Sequence, residues 1–97
     1  MLFAILAQDR KGTEAARQAQ REGHLAHFQR HKGKIALAGP LTSDDGRSVG
    51  SLVIFEAESE AEAGAFIRAD PFYGAGVWGE PVIARIKGAI FAPEKFA

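Results

Sequence analysis

The sequence predicts an α+β fold of order β-α-β-β-α-β, the ferredoxin-like pattern. Three observations predict it. Four short apolar runs of strand length alternate with two stretches of helical composition. Clusters of Gly, Pro, Asp and Ser separate these runs, with no linker, repeat or low-complexity tract. The strands are also apolar on both faces, which bears on assembly. A chain of 97 residues holds one domain with one core, residues 1–97.

The first strand is Leu2–Ala7, closed by the turn Gln8-Asp9-Arg10-Lys11-Gly12. Thr13 stands where a helix cap belongs, and Glu14 at its positive end opens a helix over Glu14–Lys32. Arg30, His31 and Lys32 before Gly33 suit a helix C-terminus. Lys34–Ala38 reads as a second strand broken by Gly39-Pro40, and Ser43–Arg47 as a turn. Val49–Ala57 is the third strand. Ser59 and Glu62 match a capping box for a second helix running to Ala69. Asp70-Pro71-Phe72-Tyr73 begins an irregular turn, and Trp78–Lys87 gives a fourth strand interrupted by Pro81. The tail Ala89–Ala97 reads two ways: Ile90 and Phe91 suit an edge strand or dimer contact, Pro93-Glu94-Lys95 a surface end.

In the third strand Leu52 and Ile54 oppose Val53 and Phe55; in the first, Leu2, Ala4 and Leu6 oppose Phe3, Ile5 and Ala7. An antiparallel sheet with helices on one side should be polar on the other. The expectation is therefore a homodimer whose antiparallel sheets pack face to face, a dimeric α+β barrel.

Composition removes several function classes. Twelve basic residues balance twelve acidic ones without long blocks, unlike the footprint of a nucleic-acid binder. No apolar run approaches the roughly 20 residues of a membrane span. The opening Met1–Leu6 lacks a basic stretch and is too short for a secretory signal, so a cytoplasmic location is expected. Without cysteine there is no disulfide, thiol nucleophile or thiolate metal site. His27 and His31 are four apart on one helix but lack the Glu of the zinc-protease motif and a third ligand. They are expected on a solvated flank, with no bound metal. No cofactor motif is found; Gly74-Ala75-Gly76 lacks the spacing and lysine of a phosphate loop.

The first helix carries the functional signal. Arg17, Arg21 and His24 share the stripe of Phe28, with Leu25 beside them, and this stripe is the helix's one candidate core face. Cationic and titratable groups there cost stability unless satisfied, and such conflicts mark sites more often than scaffolds. An imidazole exchanges protons near neutral pH, so His24 is the candidate acid or base, and the two arginines suit an anionic ligand. Asp70 is its natural partner, although Asp before Pro is also what a helix start wants. One carboxylate oxygen can serve each role. Gly39, Pro40 and Ser51 are candidate pocket walls; Gly50 permits close backbone approach, and Ser51 has no nucleophile elbow around it.

Along nearly its whole length the chain resembles the YCII-related (YciI-like) family. The matching pieces are the Leu2–Asp9 strand, Arg21-Glu22-Gly23-His24-Leu25, Ala38-Gly39-Pro40-Leu41, Gly50-Ser51-Leu52, Asp70-Pro71-Phe72 and Ala75-Gly76-Val77. The resemblance implies a ferredoxin-like dimer and an active-site pocket with a histidine and an aspartate, matched by His24 and Asp70. One relative in chlorinated aromatic degradation is a dehydrochlorinase, and the fold is similar to that of muconolactone isomerases. The family often has Pro after the motif arginine, where this chain has Glu22-Gly23. Gly23 costs the helix roughly 1 kcal/mol relative to Ala, so a loosened helix before His24 is expected.

The function expected is a cofactor-free enzyme acting on a small anionic or phenolic organic molecule by isomerisation or elimination. His24 moves the proton, Asp70 orients the imidazole, and Arg21 with Arg17 holds developing negative charge. Two alternatives stand beside it: a non-catalytic ligand-binding dimer, and a cofactor-free oxygenase on the same architecture. In a third, purely structural reading His24 and Asp70 only satisfy each other.

Overall fold

Alternation along Leu2-Phe3-Ala4-Ile5-Leu6-Ala7 buries Phe3, Ile5 and Ala7 and turns Leu2, Ala4 and Leu6 the other way. In the computed structural model, which describes residues 1–96, this run is β1 (Leu2–Gln8). It sits centrally in a four-stranded antiparallel sheet of order β2-β3-β1-β4, with β2 (Ile35–Thr42), β3 (Ser48–Glu56) and β4 (Val82–Ile86). Helices α1 (Glu14–Arg30), α2 (Glu60–Arg68) and α3 (Pro71–Gly74) complete the α+β order expected. Phe3, Ile5, Val53 and Phe55 meet Phe66, Ile67 and Phe72 in one core, where Phe55 and Phe66 stack at 4.0 Å. Each such side chain contributes roughly 1.5–3 kcal/mol on burial. Gly50 marks the tightest strand approach: a Cβ there would lie 2.6 Å from the carbonyl oxygen of Ala7.

Several local expectations are corrected. β2 does not break at Gly39-Pro40 but runs through them, pairing Pro40 with Ser51. It is an edge strand, where a residue without N–H is tolerated if that position faces away from the ladder. A register shift between Ile35 and Leu37 leaves Ala36 extra. Ile35 consequently packs on the core, while Leu37 joins the opposite face and Ala38 and Pro40 return to the helix side. α1 ends at Arg30, two residues early, because Lys32–Lys34 tighten into a 3-10 turn. Thr13 does not cap it; the hydroxyl donates instead to the Arg10 carbonyl at 2.7 Å.

Ser59 does cap α2, accepting from the Glu62 N–H at 3.1 Å. The return bond from Glu62 reaches the N–H of Glu58, one residue outside a capping box. Asp70 caps α3, which is a one-turn helix rather than an irregular turn. β4 begins only after Pro81, and Trp78 instead makes an isolated bridge to Asp9.

The face of the sheet away from the helices is apolar over most of its extent, with Glu56 and Gln8 at its ends. Leu2, Ala4, Leu6, Leu52, Ile54, Val82, Ala84 and Ile86 alternate onto it through the observed register. Among its described residues the C-terminal segment forms no strand. Its Ile90, Phe91 and Phe96 are exposed and border, with Leu37, Leu52 and Ile54, a cavity of about 700 Å³ over this face. Ala97, the last residue of the tail reading, lies outside the described residues. Among the described residues no helix is long and apolar enough to cross a membrane.

Candidate active site

The polar stripe of α1 meets α3, and the site forms where they cross. Gly23 makes the crossing possible: a Cβ there would stand 3.1 Å from Cγ of Pro71. The glycine therefore seats one helix on the other, and α1 continues unbroken through it, contrary to the loosening expected. The close approach brings Asp70, at the start of α3, beside His24, one residue past the contact.

His24 Nδ1 and Asp70 Oδ2 lie 2.7 Å apart. Asp70 is 1% exposed and His24 9%. The other oxygen, Oδ1, accepts from the Phe72 N–H at 2.8 Å, so the carboxylate serves as cap and histidine partner together. An ionised carboxylate only accepts, so in the neutral imidazole Nδ1 carries the hydrogen and Nε2 the lone pair. The ring is held on its faces as well. Phe72 stacks on it at 4.2 Å, Phe28 tilts against it at 4.5 Å, and Trp78 meets it edge-on at 5.7 Å.

Arg17, Arg21, His24, Gly39, Pro40 and Ser51 line one cavity of about 300 Å³, together with Leu25, Phe28, Ala38 and Ser48. All seven residues singled out from sequence thus meet here, with Asp70 behind the wall. Their circumstances differ. Arg17 makes two bonds to Asp9, at 2.7 and 2.9 Å, and its guanidinium lies 4.6 Å from the centre of the Phe72 ring. Its charge is compensated. Arg21 has no ion pair among the described residues.

Apart from Asp70, the partners of these groups were not evident from sequence. Asp9 gave no signal beyond its place at a strand end. Phe72 was marked only by following Asp70-Pro71, and Ser48 fell between a turn and the third strand. Of the other two histidines, the expectation for His27 is corrected outright. His27 is buried, 3% exposed, and its Nε2 lies 2.7 Å from the Phe66 carbonyl, which fixes Nε2 as the donor. It ties α1 to α2 instead of facing solvent. Among the described residues no group of three or more His, Cys, Asp or Glu could hold a metal ion.

Comparison with known proteins gives a consistent picture. The curated protein YciI of Escherichia coli O6:H1 is 37% identical, over 80% of this chain and 88% of that protein, and YciI of Shigella flexneri matches equally. Among solved structures, 5-chloro-2-hydroxyhydroquinone dehydrochlorinase (TftG) of Burkholderia phenoliruptrix AC1100, in complex with 2,5-dihydroxybenzoquinone, superposes with a TM-score of 0.84. It is 36% identical and covers 92% of this chain and 96% of its own. Protein Atu4242 of Agrobacterium tumefaciens is 20% identical, with a TM-score of 0.53 over 96% and 98% of the two chains, and shares the fold alone. The model of the YCII-related domain matches residues 1–87, and the chain belongs to that family.

Proposed function

We propose that the chain is a small-molecule enzyme in which His24 and Asp70 move a proton without a bound cofactor, in an elimination or isomerisation of dehydrochlorinase type. The observation that carries this reading is the buried 2.7 Å contact between His24 Nδ1 and Asp70 Oδ2 at the wall of a cavity. It leaves Nε2 as the ring atom able to take a proton from a ligand O–H or C–H. Asp70 then stabilises the imidazolium that forms. Arg21 balances the charge developing on a phenolate or enolate oxygen. In an elimination the freed electron pair moves into the carbon frame and expels an anion; in an isomerisation Nε2 returns the proton to another carbon. Gly39, Pro40 and Ser51 form the wall opposite. The quinone bound by TftG supports a small phenolic or quinoid ligand.

The test is a panel of chlorinated hydroxyhydroquinones and enolisable lactones, read by chloride release and ultraviolet absorbance. Turnover in wild type, lost in His24→Asn, is expected. Ligands bound and returned unchanged would make the protein a binding module. Turnover that survives His24→Asn would remove the dyad from the mechanism.

With this reading goes a homodimer built on the apolar sheet face, where Val82 is 62% and Ile86 41% exposed. Continuous apolar surface of this kind is the signature of an interface. Sedimentation at micromolar concentration is expected to give twice the chain mass, and a monomer there would refute the assembly.

A further inference from the structure

The His24 cavity does not end at Arg21. Arg17, Arg21 and Ser48 also line a second, larger cavity of about 470 Å³. It runs along α1 toward the helix start, with Lys11, Gln18 and Arg47 on its walls. At about 1.5 Å per residue, Glu14 at its far end lies roughly 15 Å along the axis from His24. The two hollows therefore form a groove much longer than one aromatic ring.

Their chemistry differs. The inner hollow is walled largely by Leu25, Phe28, Ala38 and Pro40. The outer one gathers cations. Its acidic residues leave part of that charge uncompensated. Asp9 is already bonded to Arg17, and Glu14 approaches Arg47 only to 3.8 Å. Asp45 takes Nε of Arg47 at 3.0 Å and leaves its terminal nitrogens toward Glu14 and the groove. Lys11 and Arg21 have no ion pair among the described residues. Arginine and lysine converging on a polar hollow suit an oxyanion, whether carboxylate or phosphate.

We infer that the natural substrate has two parts: a phenolic or enolic head beside His24 and Arg21, and an arm ending in an oxyanion held by Lys11 and Arg47. This rests on the proton-transfer reading for the head and on the groove alone for the arm. The arm supplies binding energy away from the reacting atoms, which an enzyme can use to position the head.

The experiment uses equilibrium binding, which needs no turnover. 4-Alkylphenols are compared with 4-hydroxyphenyl-alkanoates of increasing arm length, and with the matching ω-phosphates, by calorimetric titration. Affinity is expected to rise at least tenfold over the uncharged parent once the arm reaches roughly 10 Å, the reach from His24 to the level of Arg17 at 1.5 Å per residue. Lys11→Gln combined with Arg47→Gln, both on the surface, should abolish that rise while leaving 4-alkylphenol binding unchanged. His24→Asn should keep the rise, because the arm does not touch the imidazole. Gain with the carboxylates identifies that arm, and gain only with the phosphates identifies the other. Equal affinity for charged and uncharged ligands at every length overturns the inference. So does a tenfold rise that persists in the double variant. A catalytic panel that finds no turnover, with the rise intact, would refute the proton-transfer reading and spare the groove.

Discussion

Gly23 and Pro71 are in contact through a missing atom: the place a Cβ would take on Gly23 is 3.1 Å from the proline ring. An alanine at an open helix position gains about 1 kcal/mol over glycine. At Gly23 that gain must be set against displacing Pro71, which opens α3 beside Asp70. Gly23→Ala is therefore expected to show no net stabilisation in urea unfolding, and Gly23→Val to destabilise by about 1–3 kcal/mol, the cost of overpacking. A rise of about 1 kcal/mol in Gly23→Ala would show the contact to be slack.

Asp70 holds two groups with two oxygens, and the substitutions that separate them predict different outcomes. In Asp70→Asn the amide oxygen can keep the Phe72 N–H, leaving the NH₂ toward His24. The imidazole must then accept at Nδ1 and carry its hydrogen on Nε2, the wrong form for a base. Activity is expected to fall about 10²–10⁴-fold. Stability should change by no more than about 1 kcal/mol. Nitrogen-15 spectra of the ring report the tautomer directly, and an unchanged Nδ1–H form would contradict the prediction. Asp70→Ala loses the cap as well, adding about 1–2 kcal/mol of destabilisation.

The Arg17–Asp9 pair is partly buried, with side chains 17% and 10% exposed. Arg17→Gln leaves Asp9 without its counter-charge and takes the guanidinium off the Phe72 ring. A loss of about 1–2 kcal/mol is expected, less than a fully buried pair would cost, because solvent still screens the site. Adding Asp9→Asn should recover about half by removing the stranded charge, which is the signature of coupling in a double-mutant cycle. Additive losses would mean that Arg17 acts only through its packing.

Glu80 predicts a pH response. Its hydrogen bond from Arg68, then that from Tyr73, holds the carboxyl below its ordinary value of 4.5. A carboxyl lowered in the fold contributes stability that is present above 4.5 and lost as pH falls through the lowered value. Wild type should exceed Glu80→Gln in thermal midpoint near neutrality, and the gap should close on acidification. The group is open to solvent, so the gap is small and shrinks with salt. A gap that widens below pH 4.5 would contradict this linkage.

Sequence carried the element order and the candidate site residues, Asp70 among them, for physical reasons that do not extend to the partners of Arg17 and His27. Period-two alternation declares a strand such as Leu2–Ala7 without reference to anything distant, and so does the conflict of Arg17, Arg21 and His24 with an apolar stripe. What satisfies a buried group often lies far along the chain: Phe66, whose carbonyl meets the His27 ring, stands 39 residues from it. No local pattern encodes such pairs, so His27 read as a solvated residue when it is a buried clasp between helices. Pro40 misled for the opposite reason. A local rule that proline ends strands gave way to the strand's place at the sheet edge. Ala36, the extra residue of the shifted register, is likewise visible only once the pairing with β3 is known.

Proline on that outermost strand has a consequence beyond the fold. A free sheet border is a template on which another chain can lay down a further strand, and repetition of that step yields filaments. At Pro40 the border offers no hydrogen for such a strand to accept, and the irregularity at Ala36 twists the run beside it. Open-ended growth along that border is thereby discouraged.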